Sequence, residues 1–314
     1  MERIADSKKV VSKYKGGVSQ WALAWRRFKK NKAALAGLII VGFIGFMAAF
    51  DRLVALYPPN CIIGLETRCP GSGLTSYGPN APPSLVNPFG KDINGYDVYS
   101  QIVYGARSAF FVGFGASGIA MAIAILIALA AGYYGGLVDN LLMRFTEVFL
   151  VLPFFLILLV FLKIFLLYGS TANSGLLIVV VIIGILSWPG NARIIRGEAL
   201  RIKELEFISA SRQIGASGSR ILFRHVLPNT LHIIIVLTTL QIAGSILTEA
   251  GISFLGFGDP NSPTWGREIA LGSQAVNQAW WVGAFPGIFL TILVMGFNLL
   301  GNGLRDALDP RLRE

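Results

Sequence analysis

The chain has 314 residues and a net charge of +10, with 54% hydrophobic and 14% charged residues. Soluble domains carry about 25% charged residues, and the apolar residues here fall in runs of membrane-spanning length, which excludes a soluble protein and predicts one all-α integral membrane domain. The positive charge sits in segments that alternate with those runs, and no stacking aromatics or base-reading motif accompany it, which excludes nucleic acid as its partner.

Residues 1–32 form a basic tail. Trp21, Trp25 and Phe28 share one helical face, and Arg26, Arg27, Lys29 and Lys30 largely surround the others, which predicts an amphipathic helix on an anionic leaflet of the bilayer. About 30 polar residues precede the first apolar run, so no cleavable signal peptide is expected. That run, 33–56, is the first span, with Asp51 and Arg52 marking its approach to the interface.

Residues 57–101 are polar, rich in Pro and Gly and poor in basic residues, which places them outside the cytoplasm. They hold both cysteines of the chain, Cys61 and Cys69. A disulfide between the two fits an oxidising compartment; two free thiols are the alternative, and the loop has too few ligands for a metal.

Residues 102–304 read as a five-helix core. Its first span, 102–134, is rich in glycine and alanine, which lets helix backbones approach closely in lipid. The next, 143–168, contains Pro153, which need not end a membrane helix because neighbouring groups can satisfy the freed carbonyl. A span at 175–195 carries Trp188-Pro189-Gly190 near its inner end, and spans at 231–252 and 280–304 flank an outer loop at 253–279. Six spans result, with both termini, including the tail 305–314, in the cytoplasm. Arg107, Arg144, Glu147, Lys163 and Glu249 all fall near span ends, where snorkelling accounts for them.

Between the fourth and fifth spans lies a polar insert, the loop 196–228. Residues 197–214 are helix formers without proline, Gly215 is placed to end a helix, and Ser217 can cap a second one that Pro228 limits or kinks. The insert has too many apolar side chains for a solvated loop, so some must meet the chain's own helices and others a partner.

Catalytic chemistry finds no support. The only Gly-Lys pair, Gly90-Lys91, lacks the rest of a phosphate-binding loop. His225 and His232 have no metal-ligand companions, and no hydrolase or zinc-protease motif occurs. An ion-coupled secondary transporter would need a deeper carboxylate.

At the insert, Ser209-Ala210-Ser211, Gly215 and Leu227-Pro228 follow the spacing of the cytoplasmic loop of ABC importer permeases. With "GKDINGYDVYSQIVYGAR" (90–107), "AAGYYGGLVDNLLMRFTEVFLVLPFFLILL" (130–159), "SWPGNARIIRGEAL" (187–200), "EAGISFLGFGDPNSPTWG" (249–266) and "FNLLGNGLRDALDPRLR" (297–313) in the same order, the chain resembles the dipeptide/oligopeptide/nickel branch of binding-protein-dependent permeases. The resemblance implies a permease subunit in a prokaryotic inner membrane, forming half of a pathway for oligopeptides, or alternatively nickel or oligosaccharides. Its partners would be a second homologous permease, two ATP-binding subunits and an external solute-binding protein. ATP and Mg would be bound on those partners, with no cofactor in this chain. It further implies that the insert is the coupling helix contacting the ATPase, through Glu206, Ser209, Ala210, Ser211, Gly215, Ala216, Ser217, Arg220, Leu227 and Pro228. Family members often carry an acid where Ser209 stands; Glu206, one turn earlier, is the nearest substitute.

Overall fold

In the computed structural model the described residues are 20–59, 78–168 and 175–308, those of 20–23 and 166–168 for backbone only. The expected Cys61–Cys69 pair and the ends of both tails lie outside them. Apart from one isolated bridge between Lys91 and Asp97, every regular element among them is helical.

The first helices are α1 (Gln20–Lys30), α2 (Lys32–Ala49) and the short α3 (Asp51–Val54). Asn31 separates α1 from α2 and caps the latter, its Oδ1 accepting from Ala34 N–H at 3.1 Å. Only Phe28 of the predicted aromatic face can be placed inward: it is buried against Ala34 and Ala307, while Trp25 remains exposed. The basic helix is thus docked on the bundle as well as amphipathic.

Helix α4 (Val98–Tyr134) crosses the whole bundle and is capped by Asp97, which accepts from Ser100 N–H. Its glycines do what their frequency predicted. Added Cβ atoms at Gly105, Gly113 and Gly132 would strike Trp265, Ile246 and Ala199 respectively, so three neighbouring helices approach α4 where it has no side chain.

Two predicted spans are bent pairs. Helices α5 (Gly136–Val151) and α6 (Phe154–Tyr168) meet at 84°, where Leu152 is extended. Pro153, which the sequence left as an interruption that need not end the span, produces a sharp bend here, because proline pushes its predecessor out of the helical region. Helices α7 (Gly175–Leu186) and α8 (Pro189–Lys203) meet at 43°, with Pro189 at the first position of α8, where a missing N–H costs nothing.

The insert holds α9 (Glu206–Gln213) and α10 (Gly218–Ile221). A widened π turn, Leu222–Val226, joins α10 to α11 (Leu227–Phe254). Pro228 does not limit the helix. The wide turn lies just before it, relieving the clash with the carbonyl four residues back, and Asn229 Nδ2 donates to the His225 carbonyl at 2.7 Å. A cross-piece, α12 (Trp265–Gln274), and the last span, α13 (Trp281–Leu308), complete the chain. Among the described residues four helical stretches are long and apolar enough to cross a membrane, and the number is six if each bent pair is one span.

The main core joins α2, α4, α11, α12 and α13 through residues such as Ile44, Val103, Ile246, Trp265 and Phe297. Helices α2 and α13 cross tightly at Gly37, where a Cβ would lie 2.7 Å from the Gly296 carbonyl. One end of the bundle carries the loop 78–97 and α12, hereafter the loop end. The other carries α1 and the α9–α10 elbow, the elbow end.

Candidate functional site

Glu204 and Leu205 break the insert earlier than expected. The sequence predicts one helix from 197 to 214, but α8 ends at Lys203 and α9 begins at Glu206, with Leu205 extended between them. Neither glycine nor proline marks this break. Its cause is tertiary: Ile208 must turn inward, and it is fully buried among Leu129, Ala199, Ile202, Ile221, Leu222 and Val226. Four separate segments thereby grip a helix of eight residues that is too short to hold itself together in water.

At its far end α9 closes as expected. Gly215 has φ +81°, its N–H donates to Arg212 O at 3.0 Å, and Ala216 N–H donates to Ser211 O at 3.1 Å. This paired pattern satisfies the last carbonyls through a left-handed residue, which glycine adopts without a Cβ penalty. Ser217 Oγ then accepts from Arg220 N–H at 3.4 Å, starting α10.

The site residues separate into two sets. Glu206, Ser209, Ala210, Gly215, Ser217, Arg220 and Pro228 are exposed, and Ala216 and Leu227 are half-buried. Ser211 is half-buried, and its Oγ donates to Phe207 O of its own helix at 2.7 Å. The excess of apolar side chains noted in the sequence divides between inside and outside: Ile208 is buried, whereas Phe207, Phe223 and Ile214 are 42%, 62% and 86% exposed. Arg212 lies over the Tyr133 ring at 5.6 Å, and Phe207 meets His225. The elbow therefore presents aromatic and aliphatic side chains ringed by Arg212, Arg220 and Arg224, with Glu206 at its leading edge. Such a mixture suits a protein surface with an apolar groove and acidic rim.

Two ion pairs brace the elbow's support. Arg196 on α8 pairs with Asp139 on α5 through two hydrogen bonds, and Arg201 pairs with Glu198, which His232 of α11 also approaches. Through Ile208, α9 shares a core with α4 and α8, and these ion pairs tie α8 to α5 and α11.

At the loop end lies a polar cluster that hydropathy did not reveal. Lys91, Asp92, Asp97 and Glu268 are all buried. Asp92 accepts from Asn94 and Tyr96 N–H, and Asp97 from Asn87 Nδ2 and Ser100, at 2.7–2.9 Å. Trp281 Nε1 donates to Lys91 O, and Trp265 Nε1 to Ile102 O. Burial raises the Asp92 and Asp97 carboxyls above their ordinary range against these hydrogen bonds. Asp51, which the sequence placed at an interface, is buried and paired with Arg107 at 2.8 Å. Glu249 is buried too, accepting from Ser253 Oγ at 2.6 Å, and does not snorkel.

Glu268 Oε2 has no hydrogen-bond partner among the described residues. Burial, with Asp92 adding repulsion and Arg267 opposing it, pushes its carboxyl up to about 8. The folded chain then holds this proton more tightly than the unfolded one, whose ordinary value is 4.5. Its contribution to stability is full below that value and is lost as pH rises to about 8, on the order of a few kcal/mol. Melting temperature in detergent is expected to fall across this window, and Glu268→Gln to flatten the fall. An equal slope in both proteins would refute the assignment.

The described residues hold no group of three or more metal-ligating side chains. Residues 123–314 match the family model described as "Binding-protein-dependent transport system inner membrane component", and 19–83 match the "N-terminal TM domain of oligopeptide transport permease C". The dipeptide transport system permease protein DppC of Bacillus subtilis is 37% identical over 292 residues, 92% of this chain and 85% of that protein. The oligopeptide transport system permease protein OppC of the same organism is 33% identical, covering 98% and 94%. A solved structure of the MetNI methionine ABC transporter in an inward-facing conformation superposes with TM-score 0.54 over 67% of this chain and 96% of that one, at 20% identity, which speaks to the fold alone.

Proposed function

Because the chain belongs to the inner membrane components of binding-protein-dependent transport systems, in the dipeptide/oligopeptide branch of ABC importer permeases, we propose that it forms half of a peptide pathway driven through the α9–α10 elbow by a separate ATPase. A second permease, two ATP-binding subunits and an external solute-binding protein complete the importer in this reading, and ATP and Mg reside on the ATP-binding subunits.

One observation carries it: the elbow offers exposed Phe207, Ile214 and Phe223 amid arginines, yet is anchored inside by Ile208. It is a protruding handle fixed to the spans. Charge supports the orientation. The elbow end holds the basic residues of α1, Arg193, Arg201, Lys203, Arg212, Arg220, Arg224 and Arg305, which favours placing it and both termini in the cytoplasm. The loop end, with residues 78–97 and α12, then faces the binding protein. Closure of the ATPase dimer would draw two such elbows together and rock the spans between outward and inward openings.

Gly215→Leu tests the coupling. No atom lies within 4 Å of an added Cβ there, so within the chain no clash at that atom opposes the substitution and the left-handed backbone carries its cost. A left-handed leucine costs about 1–2 kcal/mol, enough to reduce ATP-coupled uptake in proteoliposomes about tenfold; Gly215→Asn, which tolerates this conformation, should retain most of it. Equal uptake by the Leu variant and the parent would overturn the role of the bend. The substrate is tested by the ligand that co-purifies with the cognate binding protein: short peptides are expected, and a nickel chelate or oligosaccharide would overturn that part.

A further inference from the structure

A side-chain amide is costly at the middle of a membrane span, because hydrocarbon offers its donors and acceptors no partners. Gln241 sits near the midpoint of α11 and is half-buried. Its Oε1 accepts from Asn191 Nδ2 of α8 at 2.8 Å, and its Nε2 donates to Ser245 Oγ at 3.4 Å. Ser245 Oγ in turn lies 3.2 Å from Ser117 Oγ of α4, both buried. A hydrogen-bonded series thus runs from the packed interior outward to two amides that are only half covered.

The same open face of α11 continues at helical spacing through Thr238, Gly244 and Thr248. Gly244 is exposed and the two threonines are half-buried, their hydroxyls bonded to Ile234 O and Gly244 O of their own helix. Elsewhere the bundle's outer surface is different. The groove between α6 and α7 is lined only by apolar side chains, among them Phe161, Leu177, Val181 and Ile185, as a lipid-facing surface should be. Each amide of the α11 face has two donors and an acceptor with two lone pairs, more capacity than one bond between them uses, and lipid cannot serve the remainder.

We propose that this face of α11, with Asn191 and Gln241, forms a hydrogen-bonding wall of the solute pathway that contacts the neutral amide backbone of a passing peptide. The inference rests on the permease reading. Uncharged amides match peptide groups in either orientation and are indifferent to the charge of the peptide's side chains. Glu249, the acidic residue of α11, is buried against Ser253 and leaves the wall neutral.

Water access is the test. In the assembled importer carrying Cys61→Ser and Cys69→Ser, single cysteines are placed by Gly244→Cys, where a Cβ meets nothing within 4 Å, and by Val181→Cys in the apolar groove. A hydrophilic maleimide, which needs solvated thiolate, is expected to modify the first about tenfold faster than the second. Nucleotide trapping with ATP and vanadate should change that rate. Equally slow reaction at both sites, with and without trapping, would show the face sealed by lipid or by a helix of the second permease and would sink the inference. Gln241→Leu should raise the KM for uptake of the co-purifying peptide about fivefold, the worth of one neutral hydrogen bond, with kcat less affected and partial rescue by Gln241→Asn. An unchanged KM would remove the contact. ATP-dependent uptake by the importer with its native cysteines is read separately: its presence beside a sealed Gly244 site refutes the wall and leaves the permease reading standing, whereas its absence refutes that reading.

Discussion

Replacing Ile208 by Asp is expected to abolish ATP-driven uptake by the assembled importer while the chain still inserts into the membrane. Ile208 is the single buried side chain of α9, and it is enclosed by apolar groups from α4, α8, α10 and the π turn. An unpaired carboxylate there costs more than about 3 kcal/mol. With only eight residues, α9 has little helical stability of its own, so it would leave its seat and fray. The ATPase could still hydrolyse ATP, but its closure would pull on a loose segment. Ile208→Val removes one methylene, costs about 1 kcal/mol, and should keep most of the uptake. The check is the ratio of uptake to ATP hydrolysis at matched amounts of membrane-inserted protein. A ratio for Ile208→Asp equal to that of the parent would show that α9 does not transmit force through this contact.

The second large effect concerns folding. Gly266→Val is expected to prevent α12 from docking, lowering stability by about 3 kcal/mol or more. A Cβ at Gly266 would lie 2.1 Å from the Ala250 carbonyl oxygen and 2.8 Å from the Ala250 Cα. Those are backbone atoms of α11 and cannot rotate away. The displaced helix would take with it Trp265, which is buried, bonded to Ile102 O and seated on Gly105, and Glu268 beside it. Gly118→Ala is the matched control, because a Cβ there meets nothing within 4 Å and alanine is the better helix former. Thermal unfolding in detergent distinguishes the two. A Gly266→Val protein that melts with the parent would mean that α12 is not held by this contact.

The Gly215 turn shows how much of the site was legible in one dimension. A glycine after a proline-free helical run, followed by a serine, encodes a helix end and a new start, and both occur with the bonds the pattern implies. The break at Leu205 was not legible, because no local residue demands it; it exists because Ile208 has a hole to fill between α4 and α8. Glu249, expected to snorkel, was misjudged for the same reason. Position along a span says how far a residue lies from the interface, but says nothing about which way it faces.

By itself the sequence determined that the chain is a helical membrane protein, where its apolar runs lie and where the insert must turn, and its motifs identified the permease family. Those properties depend on each residue's own partition between lipid and water and on short-range backbone preference. Only the tertiary structure decided the 84° bend between α5 and α6, the inward face of α9, the burial of Lys91, Asp92, Asp97 and Glu268, and the meeting of Asn191 with Gln241. Each of these joins segments distant in the chain, and the energy of such a contact belongs to the pair and its surroundings rather than to either residue alone.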